Sequence, residues 1–240
     1  MDQGNRNIIA AFLIGLGVAT GGWGVGQGLR HLNAANRAVS VKGLAEREVP
    51  ADLVIWPISY VEAGNDLSAL YQRIEHNNQV LREFLAVNKL GGAETVLAPP
   101  QITDAAANND SWGNNSGKAN YRYRAEVKLT VRSSDVAAVK LAMQHSGELI
   151  KQGVAVAMNY DAKPEYLFTK LNDIKPALIA EATQNARRAA EQFAKDSSSR
   201  VGGIRSANQG QITISDRDPG TPEVKVVRVV STVDYSLVGD

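Results

Sequence analysis

Leu53-Val54-Ile55-Trp56-Pro57-Ile58-Ser59-Tyr60-Val61 is β-branched or aromatic at six of its nine positions. Residues of that kind suit a pleated, half-buried surface, so the run predicts a strand. Pro57 has no ladder donor and marks an edge or a bulge in it. Upstream, Ala38–Val49 spaces Val39, Val41 and Leu44 with polar residues and stops at Pro50, predicting a second strand that pairs with the first as a hairpin. Downstream, Asn65 or Asp66 offers a cap for a helix reaching about Lys89. Leu67, Leu70, Tyr71, Ile74, Leu81, Phe84 and Leu85 fall on one face of that helix, and Gly91-Gly92 ends it.

The polar run Asn108-Asn109-Asp110-Ser111-Trp112-Gly113-Asn114-Asn115-Ser116-Gly117 predicts a loop over about 105–120. A strand is expected at Tyr121–Arg132, a helix from Ser134 or Asp135 to about Lys151, and a short strand at Val154–Met158. Asp173 caps a third helix with Pro176 in its first turn. Leu178, Ile179, Ala182, Ala186, Ala189 and Phe193 form its narrow inner face. Ile204–Ile214 and Val224–Leu237 close the chain as a hairpin around Ser215-Asp216-Arg217-Asp218-Pro219-Gly220. This order predicts an α+β domain over 38–240, antiparallel sheets with helices on one face, and about 95–165 as a second lobe.

Ile8 to Gly28 carries no charge, and as a helix it would span roughly 31 Å, the thickness of a bilayer core. Residues 1–30 are therefore expected to be a signal anchor, a single transmembrane helix followed by a polar linker at 31–37. A cleaved signal with its cut near Thr20-Gly21-Gly22 remains the alternative. Gly17/Gly21, Gly22/Gly26 and Gly24/Gly28 recur four residues apart, which would let helix backbones approach closely and self-associate.

Lys and Arg number 26 against 25 Asp and Glu; residues 1–30 hold Arg6, Arg30 and Asp2, leaving 24 against 24. Nucleic-acid binding normally shows a basic surplus, so no nucleic-acid partner is expected. The absence of cysteine excludes disulfides, thiolate nucleophiles and thiolate metal sites.

Val39-Ser40-Val41-Lys42-Gly43-Leu44-Ala45-Glu46-Arg47-Glu48-Val49-Pro50-Ala51-Asp52, the helix Ala182-x-x-x-Ala186-Arg187-x-Ala189-x-x-x-Phe193-Ala194 and the valine-rich last strand resemble the SIMPL-domain family of bacterial cell-envelope proteins. Asn208-Gln209-Gly210-Gln211-Ile212-Thr213-Ile214-Ser215-Asp216-Arg217-Asp218 is similar to one branch of it. The family usually sets Pro and Asp side by side, whereas Ala51 separates Pro50 from Asp52 here. The resemblance implies a periplasmic α+β protein, held at the inner membrane by its N-terminus or secreted, prone to self-assembly and linked to envelope or oxidative stress. No reaction comes with it.

The residues name no chemistry of their own. His31, His76 and His145 lack partners at metal-ligand spacing, and Asp216-x-Asp218 lacks the further ligands of a calcium loop. Tyr121-Arg122-Tyr123-Arg124 would place tyrosines on one strand face and arginines on the other. No cofactor, metal or enzymatic activity is expected. The expectation is a membrane-anchored periplasmic homo-oligomer, with Gly17, Gly21, Gly22, Gly24, Gly26 and Gly28 in the anchor and Trp56, Tyr60, Trp112, Gln209 and Gln211 in the domain as its contact residues. A periplasmic small-molecule or peptide binding module, with Trp112 and the Asn-rich loop over a pocket, is the alternative.

Overall fold

The structure is a computed structural model that describes residues 15, 17, 21–23, 37–105, 121–157 and 163–239. Its strands are β1 (Ala38–Pro50), β2 (Leu53–Gly64), β3 (Glu94–Leu97), β4 (Gln101–Asp104), β5 (Tyr123–Ser133), β6 (Val156–Ala157), β7 (Glu165–Leu167), β8 (Ser199–Gln209), β9 (Thr213–Asp216) and β10 (Val224–Gly239). From residue 37 onward its described helices are α1 (Leu67–Val87), α2 (Val136–His145), α3 (Gly147–Lys151) and α4 (Leu171–Asp196). They form an α+β fold with two antiparallel sheets and helices packed against them. The described chain divides into two compact units: residues 37–47, 172–213 and 227–239 in one, and 48–105, 121–157, 163–171 and 214–226 in the other.

In the second unit β2 pairs β5 without interruption from Val54↔Ser133 to Gly64↔Tyr123. Alternation does the sorting: Val54, Trp56, Ile58 and Tyr60 of β2 and Ala125, Val127, Leu129 and Val131 of β5 are buried, while Arg124, Glu126, Lys128 and Arg132 are exposed. α1 covers the buried side with Leu70, Ile74, Leu81, Phe84 and Leu85, and α2 adds Val139 and Ala142. The Asp66 carboxylate caps α1 by accepting the Ala69 N–H at 2.7 Å. The helix ends at Asn88, one residue before Lys89 turns left-handed at φ 64°, and not at Gly91-Gly92. The single helix expected over 135–151 breaks at Ser146 into α2 and α3, with the Ser146 hydroxyl donating to the Met143 carbonyl at 2.7 Å.

The expected β1–β2 hairpin does not form, since β1 joins the sheet ordered β1-β10-β8 and β2 the sheet ordered β3-β5-β2-β6. The connecting amides are satisfied by distant segments instead: Ala51 N–H donates to the Glu223 carbonyl at 2.8 Å and Asp52 N–H to the Leu167 carbonyl at 2.9 Å. The Asp52 carboxylate accepts the Thr169 N–H at 2.8 Å, fixing the same corner.

In the first unit α4 lies on β1, β10 and β8, with Ala186 and Ala190 against Val41, Val233 and Tyr235. The buried stripe of α4 is Leu178, Ala182, Ala186, Ala190 and Ala194, a strict four-residue spacing. Phe193, expected on the inner face, is 59% exposed, because that stripe rotates it outward. The helix begins at Leu171, so Pro176 sits in its second turn and not its first. Gly43 is the sheet's counterpart to these alanines: a Cβ built on it would lie 1.8 Å from the Ala182 carbonyl oxygen and 2.4 Å from the Ala186 nitrogen. Only a glycine permits so close an approach of strand and helix backbones.

Gly15, Gly17, Gly21, Gly22 and Trp23 are helical. Among the described residues no helix is long and apolar enough to cross a membrane. Gly24, Gly26, Gly28 and Trp112 lie outside the described residues, as does most of the segment expected to be the anchor.

Candidate functional site

β8 is an edge strand of its sheet among the described residues, paired on one side with β10. Its register slips between Asp234 and Tyr235, leaving Arg205 as an extra residue, and again where Gly202-Gly203 face Ser236. Two such bulges bend the first half of the strand. Beyond them Ser206↔Asp234, Ala207↔Val233, Asn208↔Thr232 and Gln209↔Ser231 pair regularly, and Gly210 N–H donates to the Val230 carbonyl at 2.8 Å. Residues 203–211 are all exposed, and Ser206-Ala207-Asn208-Gln209-Gly210-Gln211-Ile212 carries no charge and no proline. The opposite edge strand differs, since β1 carries Lys42, Glu46, Arg47 and Glu48 and ends at Pro50, the usual devices against strand addition. Gln209 is the last residue of β8 and Gln211 lies just beyond it, both exposed on this edge.

Trp56 and Tyr60 belong to the second unit's core, at 6% and 0% exposure. The Tyr60 hydroxyl lies 2.9 Å from Asn78 Oδ1 and 3.1 Å from the Ile74 carbonyl, so a buried phenol is satisfied by α1. Burial first, and the Glu62 carboxylate second, push its ionisation well above the ordinary phenol range. The structure thus places Gln209 and Gln211 together on one edge and does not bring Trp56 or Tyr60 to it.

Trp56 contributes instead to a cleft within the second unit. β7 pairs β2 at Leu53–Ile55 and β6 pairs it at Ser59–Tyr60, so the intervening Trp56-Pro57-Ile58 has no partner on that side among the described residues. Proline tolerates such a gap because it has no N–H to leave unsatisfied. The gap opens into a cleft of about 580 Å³ walled by Trp56 and Pro57 of β2, Met143 of α2, Tyr166 of β7 and Pro222. Lys140 of α2 donates to the Glu223 carboxylate at its rim. Lys140 holds the Glu223 carboxyl below its usual range, and burial, then Glu223, raises the Tyr166 phenol. Local sequence signals Pro57 alone; Lys140, Met143, Tyr166 and Glu223 meet only through long-range pairing.

The turn after β9 is held by Asp218, whose carboxylate accepts from the Thr221 hydroxyl, from Arg217 Nε at 3.1 Å and from the Gly220 N–H at 2.8 Å. Arg217 also reaches Glu48 at 3.3 Å. The Thr221 bond, then the Arg217 bond, lowers the Asp218 pKa to about 2 from its ordinary 3.8. A carboxylate with a depressed folded-state pKa adds stability that is present above the unfolded value and lost as pH falls through the folded one. Glu223 and Asp66 are shifted in the same direction, Asp66 chiefly by Ser68. The melting temperature is therefore expected to fall as pH drops from about 4 toward 2, and Asp218→Asn to reduce that slope. An unchanged acid slope in Asp218→Asn would contradict the assignment.

Among curated proteins, none matches the chain. The SIMPL family, whose description is "protein of unknown function (DUF541)", matches residues 39–234. That match takes in both sheets from β1 to most of β10 and the helices packed on them, and on it the chain belongs to the SIMPL family.

Proposed function

We propose that this SIMPL protein is a non-enzymatic periplasmic protein, anchored in the inner membrane by its N-terminal segment, that assembles with copies of itself and supports the cell envelope under oxidative stress. The observation that carries the reading is the second half of the β8 edge, which is regular and exposed beyond its bulges and from Ser206 to Ile212 has neither the charges nor the proline that β1 carries. Two such edges brought together antiparallel across a two-fold axis would exchange main-chain hydrogen bonds and stack Gln209 and Gln211 across the seam. The anchor is supported by the uncharged run from Ile8 to Gly28 and its four-residue glycine spacing. Edge pairing is tested by Ala207→Lys with Gln209→Lys, which places ammonium groups along the seam. The wild-type chain should be multimeric by light scattering after size exclusion and the double variant should lose that multimer with its melting temperature within about 3 °C; a variant multimer of unchanged mass would exclude this edge. A second reading, a binding module, is favoured by the cleft beside β2.

A further inference from the structure

We propose that the cleft beside β2 binds a small uncharged molecule, one with an aromatic or alkyl body and a single hydrogen-bond acceptor such as a ketone oxygen. The proposal rests on the second of the two readings above and does not depend on self-assembly. The cleft's volume, about 580 Å³, lies in the range that encloses most of a small organic ligand. Trp56, Met143, Val156, Pro164, Tyr166 and Pro222 give it a mainly apolar wall. They come from β2, α2, β6 and β7 and from the segments just before β7 and β10, all within the second unit, so no single loop shapes the concavity.

Charge does not select the ligand. Of the charged lining residues, Lys140 and Glu223 neutralise each other as an ion pair, and Lys163 is engaged in an interaction of its own. An ion entering the cleft would shed its hydration against an apolar wall and meet no unpaired counter-charge among the described residues. What the wall leaves unused is hydrogen-bonding capacity on two buried aromatic residues. Trp56 and Tyr166 are 6% and 7% exposed, and neither the indole N–H nor the phenol O–H has a hydrogen-bond partner among the described residues. Neither group is sealed in the core, since Ser231 Oγ is the one fully buried side-chain polar atom without a partner among those residues. Burial raises the Tyr166 phenol, so at neutral pH it remains an O–H donor. A ketone oxygen has two lone pairs and no donor of its own, which matches it to such N–H and O–H groups. Its bond to either would satisfy a largely desolvated donor. Ala157, half-buried in the cleft wall, is the position at which bulk would fill the space.

The probe is 4-phenyl-2-butanone, titrated calorimetrically into the full-length chain in detergent, with the heats in detergent alone subtracted. Its anionic, cationic and acceptor-free counterparts are 4-phenylbutyrate, 4-phenylbutylamine and butylbenzene. The ketone is expected to bind saturably, one per chain, and more tightly than all three. Tyr166→Phe should weaken the ketone about fivefold, the worth of one neutral hydrogen bond, and leave butylbenzene unchanged. Ala157→Trp should abolish binding; should that chain fail to fold, the contrast between ketone and hydrocarbon in Tyr166→Phe carries the test. An affinity for either ion or for butylbenzene that matches the ketone's, or full ketone affinity in Tyr166→Phe, would overturn this ligand class and leave a binding module standing. Absence of saturable binding by all four compounds, or unchanged ketone affinity in a folded Ala157→Trp, would overturn the cleft as a site and the second reading with it. A monomeric protein that binds the ketone leaves this site standing and removes the assembly reading; a multimer that binds none of the four does the reverse.

Discussion

Gly43→Val is expected to lower the melting temperature by about 10 °C or to prevent the first unit from folding. The added Cβ would fall 1.8 Å from one backbone atom of α4 and 2.4 Å from another, and neither can rotate out of its way as a side chain could. The strand and helix must separate, and the small contacts of Ala186 and Ala190 on Val41, Val233 and Tyr235 separate with them. Overpacking of this kind costs about 3 kcal/mol or more, and each kcal/mol moves the midpoint of a chain of this size by roughly 2–4 °C. Gly203→Ala is the matched control, because a Cβ there meets open space. A Gly43→Val chain melting within about 2 °C of the wild type would show that α4 does not lie on β1 as described.

Leu81→Ala should cost about 2–5 kcal/mol, a large share of the roughly 5–15 kcal/mol that holds an ordinary domain folded. Leu81 is fully buried, on the face of α1 that covers β2 and β5, and truncation leaves a cavity that close-packed neighbours fill only in part. Leu67 begins the same helix but is 46% exposed, so Leu67→Ala should cost well under 1 kcal/mol. The denaturant midpoint at constant slope measures both. Equal losses for the two variants would contradict the facing of α1.

The parts of this fold that were legible in the sequence are those whose pattern is local. β2 and β5 show their alternation, Asp66 shows its cap, and the alanines of α4 show its narrow face. Phe193 lies outside the buried face because two helical stripes fit the same residues, and only the sheet decides that the one through Ala190 and Ala194 faces inward. Pro50-Ala51-Asp52 has the turn chemistry of a β1–β2 hairpin, yet the Ala51 and Asp52 amides find partners in Glu223 and Leu167, more than a hundred residues away. β3, β4 and β7 are three or four residues each, too short to show a period, and are defined by β5 and β2 beside them.

The same division holds for the candidate sites. Gln209 and Gln211 belong to a stretch whose residues suggest a strand, and only the pairing of β8 with β10 alone makes that stretch an edge. Trp56 stood out by residue type, but its place in a cleft wall depends on the gap between β6 and β7 and on where Lys140 and Glu223 arrive. None of those is a property of the residues around Trp56.

The central claim is assembly, and the mass of the detergent-extracted full-length chain in solution tests it most directly. Light scattering after size exclusion, with the detergent contribution removed, should give a defined multiple of the 25.7 kDa protomer across a tenfold range of concentration. A single species at the protomer mass over that whole range would contradict the account.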